Sequence, residues 1–177
     1  MFFTDEINKN NEREIQEIRE YLNKFDVVYD YPEKTYVIRD KGRIIATGSV
    51  DGNIMKYFFA EEEYQGQGTT LLIYNALLNY LIANNRPSFF IFTTPNNKTI
   101  FRSLGLKEVY STDRVALFEG GFYNYQNWID GVKAKLKEKS SKRGAIVMNC
   151  NPMTLGHKYL IEKALEEVDD LLIFVVE

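Results

Sequence analysis

Residues 9–24 (KNNEREIQEIREYLNK) set Ile15, Ile18, Tyr21 and Leu22 on one helical face, with charges filling the other. That spacing predicts an amphipathic helix. The pattern then changes to strand-like runs over Thr35–Arg39, Arg43–Val50 and Ile54–Ala60. Asp40-Lys41-Gly42 and Asp51-Gly52-Asn53 punctuate them as hairpin turns, so a meander of three antiparallel strands is expected. A polar turn over 61–68 leads into TTLLIYNALLNYLIANN, a long apolar helix stopped by Arg86-Pro87. Ser88–Thr94 is almost continuously apolar and predicts a strand buried on both faces. Lys98–Leu104 reads as a short helix with Gly105 just past its end, and Leu106–Tyr110 and Arg114–Glu119 as two further strands.

The character shifts after Gly120-Gly121. Asn124–Lys139 has helical amphipathicity and runs into the lysine-rich VKAKLKEKSSKR, read as a solvated face and linker. From Gly144 a new unit opens: strand Ala145–Met148, loop Asn149–Leu155, helix Gly156–Glu167 and strand Leu171–Val176. So short a βαβ unit cannot bury both faces of a parallel sheet. The expectation is therefore a piece of a longer protein, with the exposed edge at 171–176 prone to self-association.

Composition narrows the class. With 45% hydrophobic and 14% aromatic residues among 177, there is apolar material for one full domain and little more. A balance of 22 basic against 25 acidic residues gives no basic footprint for nucleic acid, so none is expected as a partner. The charged N-terminus does not read as a signal peptide, and no apolar run approaches the roughly 18 residues of a membrane helix. Cys150 stands alone, which excludes an internal disulfide framework and suits a reducing compartment. A cytoplasmic protein without membrane contact is expected.

Two constellations carry chemistry. The first is Gln65-Gly66-Gln67-Gly68-Thr69-Thr70, between a strand and the long helix. Glycines let several backbone N–H groups converge there, and the helix N-terminus adds positive potential suited to a pyrophosphate. The predicted order of helix, three strands, glycine loop, helix, strand, short helix and two strands resembles the GCN5-related N-acetyltransferases. Gln65-x-x-Gly68-x-Thr70 resembles that family's Q/R-x-x-G-x-G/A signature, with Thr70 departing at the last position. Asn97 followed by Phe101, Leu104, Gly105 and Leu106 resembles its second motif. The resemblance implies a coenzyme A-type ligand held by residues 65–70, Asn97 and Phe101, with its arm between strands 54–60 and 88–94. It also places Phe101 where the family often has a proton-donating tyrosine, and phenylalanine has no proton to donate. Tyr110 and Tyr64 are the candidate substitutes. Glu61, Glu62 and Glu63 read either as a general base for an amine or as a solvated turn.

The second constellation is Asn149-Cys150-Asn151-Pro152-Met153-Thr154-Leu155-Gly156-His157, which follows a strand and opens a helix. His157 is the chain's sole histidine. A helix N-terminus, a hydroxyl and an imidazole in one loop suit charge developing on a phosphate. Thr154-x-Gly156-His157 resembles the T/H-x-G-H motif of the nucleotidyltransferase superfamily, and Asn151-Pro152 its usual upstream pair. That implies Thr154 and His157 as catalytic residues and Asn149, Asn151 and Gly156 as nucleotide-binding ones. The superfamily's C-terminal basic, serine/threonine signature lies outside the sequence. Cys150 reads as a packing residue.

Together the two constellations resemble the citrate (pro-3S)-lyase ligase family along essentially the whole chain. The fold class expected is α/β: an acetyltransferase-like mixed sheet over 1–122, a helical linker over 123–143, and a truncated Rossmann-like βαβ unit over 144–177. The resemblance implies that ATP, with Mg²⁺, activates acetate as acetyl-AMP with release of pyrophosphate. The acetyl group would pass to the dephospho-CoA-derived thiol of the citrate lyase acyl carrier subunit, switching citrate lyase on. By itself this chain is expected to be inactive in that reaction. The alternatives are an acetyl-CoA-dependent N-acetyltransferase and a non-catalytic module that binds CoA or the carrier.

Overall fold

The computed structural model describes residues 2–122, 124–136 and 142–176. The chain divides into two compact units, Met1–Tyr125 and Gln126–Glu177, a division that falls within the stretch read as a linker.

The first unit is a seven-stranded mixed sheet with three helices. Its elements in order are β1 (Thr4–Glu6), α1 (Glu12–Asn23), β2 (Lys34–Asp40), β3 (Arg43–Asp51), β4 (Ile54–Ala60), α2 (Thr69–Ala83), β5 (Phe89–Thr93), α3 (Lys98–Ser103), β6 (Lys107–Ser111) and β7 (Ala116–Gly120). The strands lie in the order β1-β2-β3-β4-β5-β7-β6. All neighbours are antiparallel except β4 and β5, which run parallel. The expected meander is β2-β3-β4. Its first turn holds Lys41 and Gly42 at φ 48° and 78°, the left-handed pair that a tight hairpin turn demands.

α1 forms where the apolar spacing placed it. Asn11 caps it by accepting from the Arg13 N–H at 3.1 Å, and Glu14 turns back to accept from the Asn8 N–H at 2.8 Å. Ile15, Ile18, Tyr21 and Leu22 are buried against Val37 and Ile44. On the opposite face of the sheet, α2 and α3 cover a larger core including Ile38, Ile45, Met55, Phe58, Ile73, Leu77, Phe89, Ile91, Phe101 and Phe118. α2 comes so near β3 that a Cβ on Gly48 would lie 2.4 Å from Ile73 Cγ2. A bare glycine is what lets the helix seat there.

Three local readings are corrected. β1 was not anticipated: its sequence, Thr-Asp-Glu, has no apolar alternation, and it is held by pairing with β2 and by a 2.6 Å Lys34–Glu6 ion pair. β5 is not buried on both faces. Phe89, Ile91 and Thr93 point into the core, but Phe92 is 48% exposed, because α1 covers the β2–β4 side of that face and stops short of β5. The third helix-end reading also moves. α4 (Tyr125–Lys133) ends before Lys139, where Lys135 and Leu136 donate to carbonyls three residues back and close a tight turn. Residues 137–141 of the lysine-rich tail lie outside the described residues.

In the second unit β8 (Arg143–Met148), α5 (Leu155–Glu167) and β9 (Asp170–Val175) form a βαβ unit. β8 and β9 pair in parallel from Arg143↔Asp170 to Met148↔Val175. An Arg143–Asp170 ion pair at 2.6 Å closes one end. No residue of α5 is buried, and Leu155, Tyr159, Leu160 and Leu165 are exposed. Among the described residues no helix is long and apolar enough to cross a membrane.

Candidate functional site

β4 and β5 are paired only at Ile54↔Phe90 and Met55↔Ile91. Beyond those pairs they part. A bulge in β4 accompanies the split: the β3–β4 register shifts between Thr47 and Ser49, and Tyr57 takes a left-handed φ of 61°. Such a backbone is costly for a tyrosine and concentrates at functional places. Asn97 spans the gap, donating from Nδ2 to the Phe58 carbonyl at 3.1 Å and to Thr93 Oγ1 at 2.8 Å. The parted strands wall a cleft of about 360 Å³.

The glycine loop closes one end of that cleft. Gly66 and Gly68 have φ of 77° and 81°, and Gly68 precedes the first turn of α2 with no side chain capping it. Within α2 the Leu72 N–H is the first to bond back, to the Gly68 carbonyl, which leaves the amides of Gly68, Thr69, Thr70 and Leu71 as donors for an anion. Gln65, Gly66, Thr70 and Asn97 line the cleft together. The other loop residues do structural work. Gln67 donates to the Glu63 carbonyl at 2.7 Å, and Thr69 is buried with its hydroxyl toward the Tyr64 carbonyl at 3.4 Å.

Phe101 is placed differently from the ligand contact expected of it. It is fully buried, with its ring 5.0 Å from Phe58 and 5.8 Å from Phe118. It packs α3 onto the sheet and does not line the cleft. Neither candidate tyrosine stands free beside the cleft. Tyr64 donates to Asp40 at 2.7 Å, and that bond to a carboxylate pushes its phenol up to about 12. Tyr110 is exposed on β6 and lines a separate apolar cleft with Phe90, Phe92 and Leu117. Glu61 is tied to Lys24 at 2.7 Å, while Glu62 and Glu63 form a single 3₁₀ turn.

Sequence reasoning missed Tyr57, Phe25, Asp26 and Thr94. The last three line the cleft. Nothing in the residue type of Tyr57 signals a left-handed conformation. The sole hint is Gly48 across the bulge, and that glycine is equally demanded by α2.

In the second unit the loop after β8 gathers the other predicted residues at the start of α5. Thr154 is the N-cap, with extended backbone. Its hydroxyl accepts from the His157 N–H at 3.4 Å, and its own N–H donates to His157 Nδ1 at 3.0 Å. This is a reciprocal capping box in which histidine takes the position usual for glutamate. Asn149 Oδ1 accepts from the Asn151 N–H at 3.0 Å and folds the loop. Gly156 sits in the first turn, where a Cβ would meet Thr154 Oγ1 at an ordinary 3.6 Å. Cys150 is half-buried.

Residues 143–177 match the family described as the citrate lyase ligase C-terminal domain. The chain is 31% identical over 168 residues to the citrate (pro-3S)-lyase ligase of Haemophilus influenzae, covering 93% of this chain and 50% of that protein. It is 30% identical over 174 residues to the enzyme of the same name from Escherichia coli, covering 97% and 49%. The chain thus spans about half the length of the curated relatives it matches. Among solved structures, an acetyltransferase of the GNAT family from Staphylococcus aureus superposes with a TM-score of 0.53 at 12% identity, over 70% of this chain and 100% of that one. An N-acyl amino acid synthase from uncultured soil microbes gives 0.52 at 10% identity, over 72% and 94%. At such identities the likeness speaks for the fold alone. The chain joins an acetyltransferase fold to a segment matching the citrate lyase ligase C-terminal domain, and by sequence it is a relative of the citrate (pro-3S)-lyase ligases.

Proposed function

We propose that this chain carries part of an ATP-dependent ligase that acetylates the acyl carrier subunit of citrate lyase. The observation that carries the reading is the Thr154–His157 box at the start of α5, inside the segment that matches the ligase domain. A helix N-terminus with a neighbouring imidazole suits the α- and β-phosphates of ATP. In the reaction, an acetate oxygen attacks the α-phosphorus of ATP, pyrophosphate leaves, and acetyl-AMP forms. The carrier thiol then attacks the acetyl carbonyl and AMP leaves. His157 would donate a hydrogen bond to a phosphate oxygen, and the amides of α5 would hold the anion. Among the described residues no group of three His, Cys, Asp or Glu side chains is placed to hold a metal. In this reading Mg²⁺ would neutralise the triphosphate.

The acetyltransferase-like unit is assigned recognition of the carrier's dephospho-CoA-derived arm. Its support is the parted β4–β5 cleft with the anion-ready loop at one end, combined with a buried Phe101 and a Tyr64 already bonded to Asp40. Binding machinery is present there without a poised proton donor for thiolate departure. The fold itself favours a second reading, in which this unit transfers acetyl from acetyl-CoA to an amine. Calorimetric titration of the chain with CoA and dephospho-CoA, followed by assay for free thiol, separates the two. Binding of both without turnover is expected. Thiol release from acetyl-CoA on addition of an amine would establish the acetyltransferase reading, and failure of both ligands to bind would remove the recognition role.

A further inference from the structure

We infer that Thr154 is a positioning residue that holds His157 as the tautomer with its proton on Nε2, making the ring a hydrogen-bond donor toward its ligand. The inference deepens the proposed function and rests on it for the identity of that ligand, an anionic phosphate oxygen.

The Thr154 N–H lies 3.0 Å from His157 Nδ1, and an N–H only donates. Nδ1 must therefore present its lone pair and carry no hydrogen. A neutral imidazole has one N–H, so it is on Nε2. The Thr154 hydroxyl secures the arrangement from the other side. It lies 3.0 Å from Nδ1 and accepts from the His157 backbone N–H at 3.4 Å, which fixes the first turn of α5 and the ring's place above it. Residue 154 thus meets the histidine through three contacts, two from its backbone N–H and hydroxyl to the ring and one from its hydroxyl to the main chain.

The chemical consequence is selective. With Nδ1 occupied and Nε2 protonated, neither ring nitrogen offers a free lone pair. In this state the ring does not ligate a metal and does not take a proton from substrate. It donates. Among the described residues Nε2 has no protein partner, so that donor remains for a ligand, beside the amides at the N-terminus of α5. Phosphate oxygens accept such a bond; a divalent cation or an ammonium group does not.

Because the chain has one histidine, nitrogen-15 labelling of the whole chain, residue 154 included, gives a single pair of histidine ring resonances that need no assignment. Neutral histidine in water already favours the Nε2–H form, so the tautomer alone is too weak a test. The decisive observation is a coupling transmitted through the hydrogen bond between the Thr154 amide nitrogen and His157 Nδ1. It is expected in the wild-type chain, diminished in Thr154→Ala, which keeps the donating backbone N–H but loses the hydroxyl that caps the turn, and restored in Thr154→Ser. Inorganic pyrophosphate added to the wild type is expected to shift the Nε2 resonance and leave Nδ1 nearly in place. Absence of the coupling in a folded wild-type chain overturns the tautomer, and a coupling undiminished in Thr154→Ala overturns the positioning role of the Thr154 side chain. A larger shift at Nδ1 than at Nε2 overturns the donor assignment. If the coupling is present but the intact protein shows no acetate-dependent ATP–pyrophosphate exchange, the ligase reading fails while the tautomer stands, so the two failures are distinguishable.

Discussion

Replacing His157 by alanine is expected to lower acetate-dependent ATP–pyrophosphate exchange in the intact protein by about 100-fold, the usual cost of removing one donor aimed at developing charge. The loss should fall on the rate and much less on the affinity for acetate, since the proposed partner of the ring is a phosphate oxygen and not the carboxylate. His157→Gln is the informative companion. Its amide nitrogen reaches about as far as Nε2 and can donate, but it is not held by the Thr154 N–H in the same way. Partial activity is therefore expected, above alanine and below wild type. The fold should tolerate both changes, because no residue of α5 is buried. If the alanine variant retained exchange within about threefold, His157 would have no part in stabilising the reaction, since effects of that size are ordinary for a perturbed surface position.

The second large effect is expected in the other unit. Gly66→Val and Gly68→Val each force a branched side chain onto a left-handed backbone, at a cost of about 1–2 kcal/mol of local strain. Neither glycine has any atom within 4 Å of the position a Cβ would take, so the obstacle is conformation and not space. The loop should relieve the strain by turning its amides away from the cleft. Acetylation of the carrier thiol is then expected to need at least about tenfold more carrier, a loss of some 1.4 kcal/mol in recognition. Exchange of pyrophosphate into ATP should remain, because the proposed adenylate-forming step uses the start of α5 and not the carrier. The split between the two assays is what gives the prediction content. Carrier acetylation unchanged in both variants would remove the acetyltransferase-like unit from recognition of the thiol arm.

Much of the first unit was legible because its elements follow simple periods. α1 announces itself through Ile15, Ile18, Tyr21 and Leu22, and the meander through strand-like runs punctuated by two glycine-bearing turns. The limits have equally physical causes. Thr4–Glu6 is a strand made by pairing and not by pattern, so no local signal exists for it. The run SFFIFTT reads as doubly buried because apolarity reports the wish to be covered, whereas the reach of α1 decides which face is covered. Phe101 occupies a family motif, but on a helix as short as α3 the spacing does not reveal where the ring points, and it points into the core. The glycine loop shows a similar division. Gln65, Gly66 and Thr70 line the cleft while Gln67 and Thr69 do not, although Gln65, Gln67 and Thr69 all donate to backbone carbonyls, and nothing in the sequence separates them.

The second unit was read correctly in type, strand–loop–helix–strand, since a polar loop between two apolar strands and a helix leaves little else. What the sequence did not convey is the reciprocal box. Thr154 and His157 stand three apart, as a capping box requires, yet the partner expected at that position is glutamate or glutamine. Histidine in that place makes one side chain serve both the helix and the loop.

The proposed activation of acetate by ATP is tested most directly by exchange of labelled pyrophosphate into ATP by the intact protein, with and without acetate. Exchange that depends on acetate, followed by acetylation of the carrier thiol when citrate lyase is added, is the predicted result. No acetate-dependent exchange, together with acetylation of an amine from acetyl-CoA, would contradict the claim and assign the activity to the first unit's cleft.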